Sequence, residues 1–118
     1  MTTTIDLFKS AQNTCDFKAG EAIFKTGDAS DGVMYVIQEG TVDILVDGVV
    51  IDTIGAGKAL GELGLVDDKP RSATAVAQTA CKLVSINEKR FIMLVQQMPY
   101  FALQMMRMMA ERLRKYRD

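Results

Sequence analysis

A turn that recurs at short intervals constrains this chain more than any other feature. Lys18-Ala19-Gly20-Glu21, Gly27-Asp28 with Asp31-Gly32, Glu39-Gly40, Asp47-Gly48 and Gly55-Ala56-Gly57 arrive every eight to twelve residues. That is the rhythm of an antiparallel sandwich or barrel. The runs between the turns are β-branched and aromatic: Ala22-Ile23-Phe24, Val33 to Ile37, Thr41 to Val46, and Val49 to Ile54. Each reads as a strand, and Asp47-Gly48 predicts a two-residue hairpin between the third and the fourth. Ser72 to Ala77 and Lys82 to Ile86 resume the pattern after Arg71. Roughly seven or eight strands are expected, closed on themselves to hide their edges.

The period changes near the end of the chain. Asn87 is placed to cap a helix whose first turn carries Glu88, with Phe91, Leu94 and Val95 on one face until Pro99 interrupts. Proline favours the first helical position, so a second helix is expected to start at Pro99 and run toward Tyr116. Its apolar stripe is Leu103, Met106, Ala110 and Leu113, flanked by Ala102, Met105, Met109 and Tyr116. A face this wide suggests packing on the barrel with one side and on a second copy with the other, so a homodimer through this helix is expected. Thr4 to Ala11 also predicts a helical turn or two. The fold class is therefore mainly β with flanking helices.

Composition narrows the chemistry. The 118 residues hold 48% hydrophobic side chains, enough for one core. The formal charge is −1, which argues against a polycation that coats nucleic acid or an anionic bilayer. Histidine is absent, which removes imidazole metal sites and histidine-based catalysis, so neither a metal nor enzyme activity is expected. The beginning of the sequence has no signal-peptide pattern, and no segment approaches the roughly 20 apolar residues of a membrane span. A cytoplasmic protein is expected. Cys15 and Cys81 lack metal-type spacing and read as reduced, mostly buried thiols. Of eight methionines, Met93, Met98, Met105, Met106, Met108 and Met109 crowd the C-terminal helices, where helical spacing favours core or dimer seam. The basic residues Arg107, Arg112, Arg114, Lys115 and Arg117 complement a helix C-terminus without any need for nucleic acid.

One segment breaks the strand rhythm, from Gly57 to Ala73. Two glycines of the segment allow backbone to approach a ligand, and Glu62 to Val66 fits one short helical turn whose leading N–H groups are unpaired and would attract an anion. Arg71 follows, the side chain best suited to fork onto phosphate oxygens, then the hydroxyl of Ser72 and the N–H of Ala73. A carboxylate such as Glu62 repels phosphate unless it accepts hydrogen bonds from a neighbouring sugar hydroxyl. Phosphate joined to ribose is the implied ligand.

The segment resembles the phosphate-binding cassette of the cyclic nucleotide-binding domain family: Gly-x-x-Phe-Gly-Glu-hydrophobic-small-Leu, a short gap, then Pro-Arg-Ser/Thr-Ala. Gly20, Gly27-Asp28, Tyr35-Val36-Ile37, Gly40, Gly55 and Gly57 fall where that family's β-roll has turns and strands, and Phe91 falls where its first C-terminal helix begins. The resemblance implies one domain over residues 1–118: a jelly-roll-like β-roll, or double-stranded β-helix, over about 15–86, a short cassette helix, and C-terminal helices over about 87–117. It implies that Glu62 holds the ribose 2′-hydroxyl and Arg71 the exocyclic phosphate oxygens. Ser72 and Ala73 would add a hydroxyl and a backbone donor, and Gly61, Glu62 and Leu63 backbone groups. Leu60 stands where the family commonly has Phe, which alters packing beneath the cassette but no polar contact.

The ligand implied is cyclic AMP or cyclic GMP. Family members that prefer cyclic GMP often carry Thr after the arginine; Ser72 favours cyclic AMP. Base recognition falls to apolar stacking, backbone groups, or Arg107 or Arg112 over the purine. The expected function is a regulatory sensor in which the last helix caps the ligand and relays occupancy to a partner or second subunit. DNA-binding relatives of this kind carry a helix-turn-helix after the long helix; the sequence ends at Asp118, so no direct DNA binding is expected. The alternatives are a domain related to transcription regulators without its own DNA-binding part, or a degenerate interaction domain that binds no ligand.

Overall fold

The computed structural model describes residues 8–9 and 11–117. Most of the turn expected between Thr4 and Ala11 lies outside these residues; within them, Phe8 is helical and its carbonyl accepts from the Ala11 N–H at 3.0 Å. Two compact units divide the chain, one ending at Glu88 and the other beginning at Lys89.

The first unit is the β-roll. Its strands are β1 (Thr14–Phe17), β2 (Ala22–Phe24), β3 (Val33–Glu39), β4 (Val42–Val46), β5 (Val49–Ile54), β6 (Ala59–Leu60), β7 (Thr74–Ala77) and β8 (Cys81–Asn87). They form two four-stranded sheets, β1-β8-β3-β6 and β2-β7-β4-β5. Every pairing is antiparallel. The core lies between the sheets: Ile37, Leu60, Cys81 and Leu83 come from the first, Val42, Ile54, Ala75 and Ala77 from the second. Leu60, the departure from the family's Phe, is 1% exposed and fills this core beneath the cassette.

Asp47 and Gly48 both have positive φ, 52° and 77°, and Val46 pairs with Val49 across them. This is the tight hairpin expected from the dipeptide, whose twist matches that of the flanking strands. Two strands escaped the sequence pattern. β1 contains Cys15 and Asp16 rather than a β-branched run, and β6 has only two residues, Ala59 and Leu60, paired with Val36 and Tyr35.

The second unit holds two helices after the short α1 (Leu63–Val66) of the roll: α2 (Glu88–Gln97) and α3 (Pro99–Arg117). Both begin where the sequence places them. Phe91 and Phe101 meet with ring centroids 5.5 Å apart and planes tilted by 59°, tying α2 to α3. Met106 and Leu113 of the expected stripe are 59% and 66% exposed. No helix among the described residues is long and apolar enough to cross a membrane.

Candidate ligand-binding site

The segment between β6 and β7 folds as a turn, the single-turn helix α1 and a loop. Glu62 occupies the N-cap position of α1 with helical backbone angles, and its carboxylate does not cap the helix. The Gly64 N–H donates to Gly61 O at 3.0 Å and the Leu65 N–H to Glu62 O at 3.1 Å. Two of the leading N–H groups are thus engaged inside the turn, which corrects the expectation of an open row of donors. The cause is local: a turn this tight closes on its own carbonyls.

Arg71 is clamped at its backbone and at its side chain. Its N–H donates to Asp28 O and its carbonyl accepts from the Gly27 N–H, each at 2.8 Å, so the β2–β3 loop runs alongside it. Thr26 secures the same loop by donating its N–H to Thr74 Oγ1 at 2.9 Å. The Arg71 residue is only 7% exposed. Nη1 donates to Gly61 O at 3.0 Å, and Nη2 donates to Val33 O at 2.8 Å and to Asp31 Oδ1 at 3.0 Å. Its Cζ lies 4.4 Å from the centroid of the Phe24 ring. Glycine permits the fit: a Cβ on Gly64 would stand 2.7 Å from Nη1, and one on Gly61 2.9 Å from it.

The residues expected from the sequence occupy this one stretch. Gly61 and Arg71 are in direct contact, Glu62 and Ala73 are half-buried, and Leu63 and Ser72 are exposed. Arg107 and Arg112 belong to α3. There Arg107 Nη1 donates to the Tyr100 hydroxyl at 2.9 Å, with its Cζ 5.5 Å from the ring centroid.

Three contributing side chains were not foreseen, Asp31, Ser30 and Phe24, nor was the Val33 carbonyl. Asp31 also accepts the Val33 N–H at 3.1 Å, which gives it the signature of an ordinary turn aspartate. Ser30 donates its hydroxyl to Gly64 O at 3.1 Å, joining the β2–β3 loop to α1. Phe24 reads in sequence as a strand residue and nothing more. Tyr35, paired with Leu60, has its hydroxyl pKa raised, first by burial and then by the Asp31 charge and Cys15, while Arg71 opposes the shift.

One segment thus holds a nearly buried arginine against two glycines and also carries a half-buried glutamate, the charge and the acceptor that an anion bearing hydroxyl groups would call for. Residues 14–98 match the family model described as "Cyclic nucleotide-binding domain". This chain belongs to the cyclic nucleotide-binding domain family.

Among curated relatives of the domain, the cAMP-dependent protein kinase regulatory subunit of Debaryomyces hansenii is 47% identical over 62 residues, 52% of this chain and 14% of that protein. The cAMP-dependent protein kinase type II regulatory subunit of Drosophila melanogaster is 44% identical over 77 residues, 61% of this chain and 20% of that protein. The chain therefore spans a fifth or less of these relatives. Among solved structures, the Thermus thermophilus catabolite activator protein superposes with a TM-score of 0.79 at 27% identity, covering 96% of this chain and 55% of that one. A structure described under a cyclic-GMP-dependent signalling pathway that regulates bacterial phytopathogenesis matches with the same score and identity, covering 96% of this chain and 94% of that one.

Proposed function

We propose that the chain is a cytoplasmic cyclic-nucleotide sensor acting through one domain, with cyclic AMP favoured over cyclic GMP. Arg71 binds the exocyclic phosphate oxygens and Glu62 the ribose 2′-hydroxyl, with Gly61, Leu63, Ser72 and Ala73 completing the cassette. The observation that carries this reading is the buried Arg71 guanidinium, held against Gly61 and Gly64 of the same segment. A positive charge held by glycine backbone on one strand-helix turn is suited to an anion of fixed geometry. The role is binding with a population shift rather than catalysis, and α3 caps the ligand and relays occupancy to a partner or a second copy. Arg107 or Arg112 would face the purine. The free thiols of Cys15 and Cys81 fit a reducing compartment.

Cyclic AMP is supported by the kinase regulatory subunits, which share up to 47% identity with this chain. Cyclic GMP is the second reading, supported by the relative from a cyclic-GMP-dependent pathway, of which this chain covers 94%. Calorimetric titration with each nucleotide decides between them. Heat with cyclic AMP at lower concentration than with cyclic GMP is the expected result, and no heat with either at high micromolar ligand refutes the sensor. Light scattering tests the dimer: a 13.0 kDa particle at every concentration rules it out.

A further inference from the structure

We propose that Phe24 is a positioning residue for the phosphate contact, its ring face setting the tilt of the Arg71 guanidinium. This inference rests on the cyclic-nucleotide reading above. Among the described residues, the three acceptors of the Arg71 side chain engage Nη1 and Nη2: Gly61 O on the first, Asp31 Oδ1 and Val33 O on the second. Acceptors at those two nitrogens locate the end of the group. Rotation about the line joining the two atoms bends those hydrogen bonds, and their angular preference is broad enough to leave part of that tilt free. Stacking supplies the missing restraint. The Phe24 ring centroid is 4.4 Å from Cζ, inside the range where a cation is drawn to the ring quadrupole, and desolvation of the nearly buried arginine strengthens that attraction. The ring is also seated against the cassette, since its Cε2 lies 3.3 Å from where a Cβ on Gly61 would stand. Phe24 is itself half-buried against the core between the sheets, so its orientation is set by the roll. A strand residue far from the cassette in sequence thereby fixes the direction in which the cassette's charge is presented. An aliphatic side chain would fill the same space without a π face.

The test compares wild type, Phe24→Leu and Phe24→Tyr. Each is titrated with cyclic AMP and separately with cyclic GMP by calorimetry. The Nε–H resonance of Arg71, assigned by its loss in Arg71→Lys, is recorded without nucleotide. Phe24→Leu is expected to weaken binding by about three- to tenfold, and Phe24→Tyr, which keeps the ring, to restore it to within about twofold. The Nε–H signal is expected to lose its ring-current shift in Phe24→Leu and to keep it in Phe24→Tyr, a change that simple loss of stability would not produce. If the leucine variant does not fold, Phe24→Met, unbranched and able to adapt to an irregular gap yet equally without a ring, replaces it. Equal affinity in wild type and the ringless variant, a loss that tyrosine fails to rescue, or an unmoved Nε–H resonance overturns the role of Phe24 alone. Wild type that binds neither nucleotide overturns the cyclic-nucleotide reading and this inference with it.

Discussion

Nη2 of Arg71 donates to Asp31 Oδ1 at 3.0 Å, although the two side chains meet water very differently, at 6% and 59% exposure. The buried partner is the cation and the solvated partner is the anion. Solvent around Asp31 screens the pair, so its net contribution to stability is less than about 1 kcal/mol. Arg71 is held as well by the Gly61 and Val33 carbonyls, at 3.0 and 2.8 Å.

Replacing Arg71 with Leu removes the two donors of those carbonyls, Nη1 for Gly61 O and Nη2 for Val33 O, and the charge that would meet a phosphate. Cyclic-nucleotide affinity should fall by several kcal/mol, about a hundredfold or more. Stability should fall by about 2 kcal/mol, because the Gly61 and Val33 carbonyls lose a donor in a site that admits little water. Calorimetry reads the first effect and urea denaturation the second. A variant that binds as wild type does removes Arg71 from the site.

Asp31→Asn separates the charge of Asp31 from its shape. The amide oxygen still accepts the Val33 N–H, a contact of 3.1 Å in the wild type, so the turn is retained. The negative charge beside the Arg71 guanidinium disappears. Affinity for an anionic ligand should rise by about two- to fivefold, and by more in low salt than in high, because the charge removed is exposed and screened. Titrations at two ionic strengths check both statements; weaker binding would show that the carboxylate supports the arginine rather than competing for it.

Gly40 and Gly48 both have positive φ, 95° and 77°, and differ in their surroundings. A Cβ on Gly48 meets nothing within 4 Å, whereas one on Gly40 would stand 2.5 Å from Ala80 O and 2.7 Å from Cys81 Sγ. Gly48→Ala should cost about 1 kcal/mol, the penalty of a left-handed conformation alone. Gly40→Ala should cost at least about 3 kcal/mol, since the strand end carrying Cys81 must also move. Denaturant midpoints of the two variants give the comparison directly.

Tyr35 links stability to alkaline pH. Its folded pKa lies above the ordinary value near 10, chiefly through burial and secondly through the Asp31 charge. The unfolded chain therefore releases the phenolic proton at lower pH than the folded protein does. This contribution to stability is complete below pH 10 and is lost as the pH climbs toward the folded pKa. Tyr35→Phe should flatten the decline in unfolding free energy between pH 9 and pH 11, a range that brackets the ordinary tyrosine value. Parallel curves for the two proteins would exclude Tyr35 as the cause.

The strand pattern was legible because it depends on neighbours in the chain. Asp47-Gly48 favours its own hairpin through backbone sterics, and Val42 to Ile54 pair across it with partners close in the chain. The starts of α2 at Glu88 and α3 at Pro99 were legible for the same reason, since a helix boundary is decided by the few residues around it. The cassette could be read as a motif, Gly61-Glu62 with Arg71-Ser72-Ala73, because its chemistry lies on one stretch of chain. β1 was not, because Thr14 to Phe17 become a strand by pairing with Val84 to Cys81, neighbours in the sheet but far away in the chain.

What surrounds Arg71 was likewise beyond the sequence. Phe24, Ser30, Asp31 and Val33 reach the cassette because β2, β3 and the loop between them are folded against β6 and β7. The sequence by itself determined most of the strands, the starts of both C-terminal helices, and which residues of the cassette carry charge, Glu62 and Arg71. Only the tertiary structure decided how that charge is held, because hydrogen bonds and ring contacts act over a few ångströms and sequence separation does not reveal which distant groups come within that range.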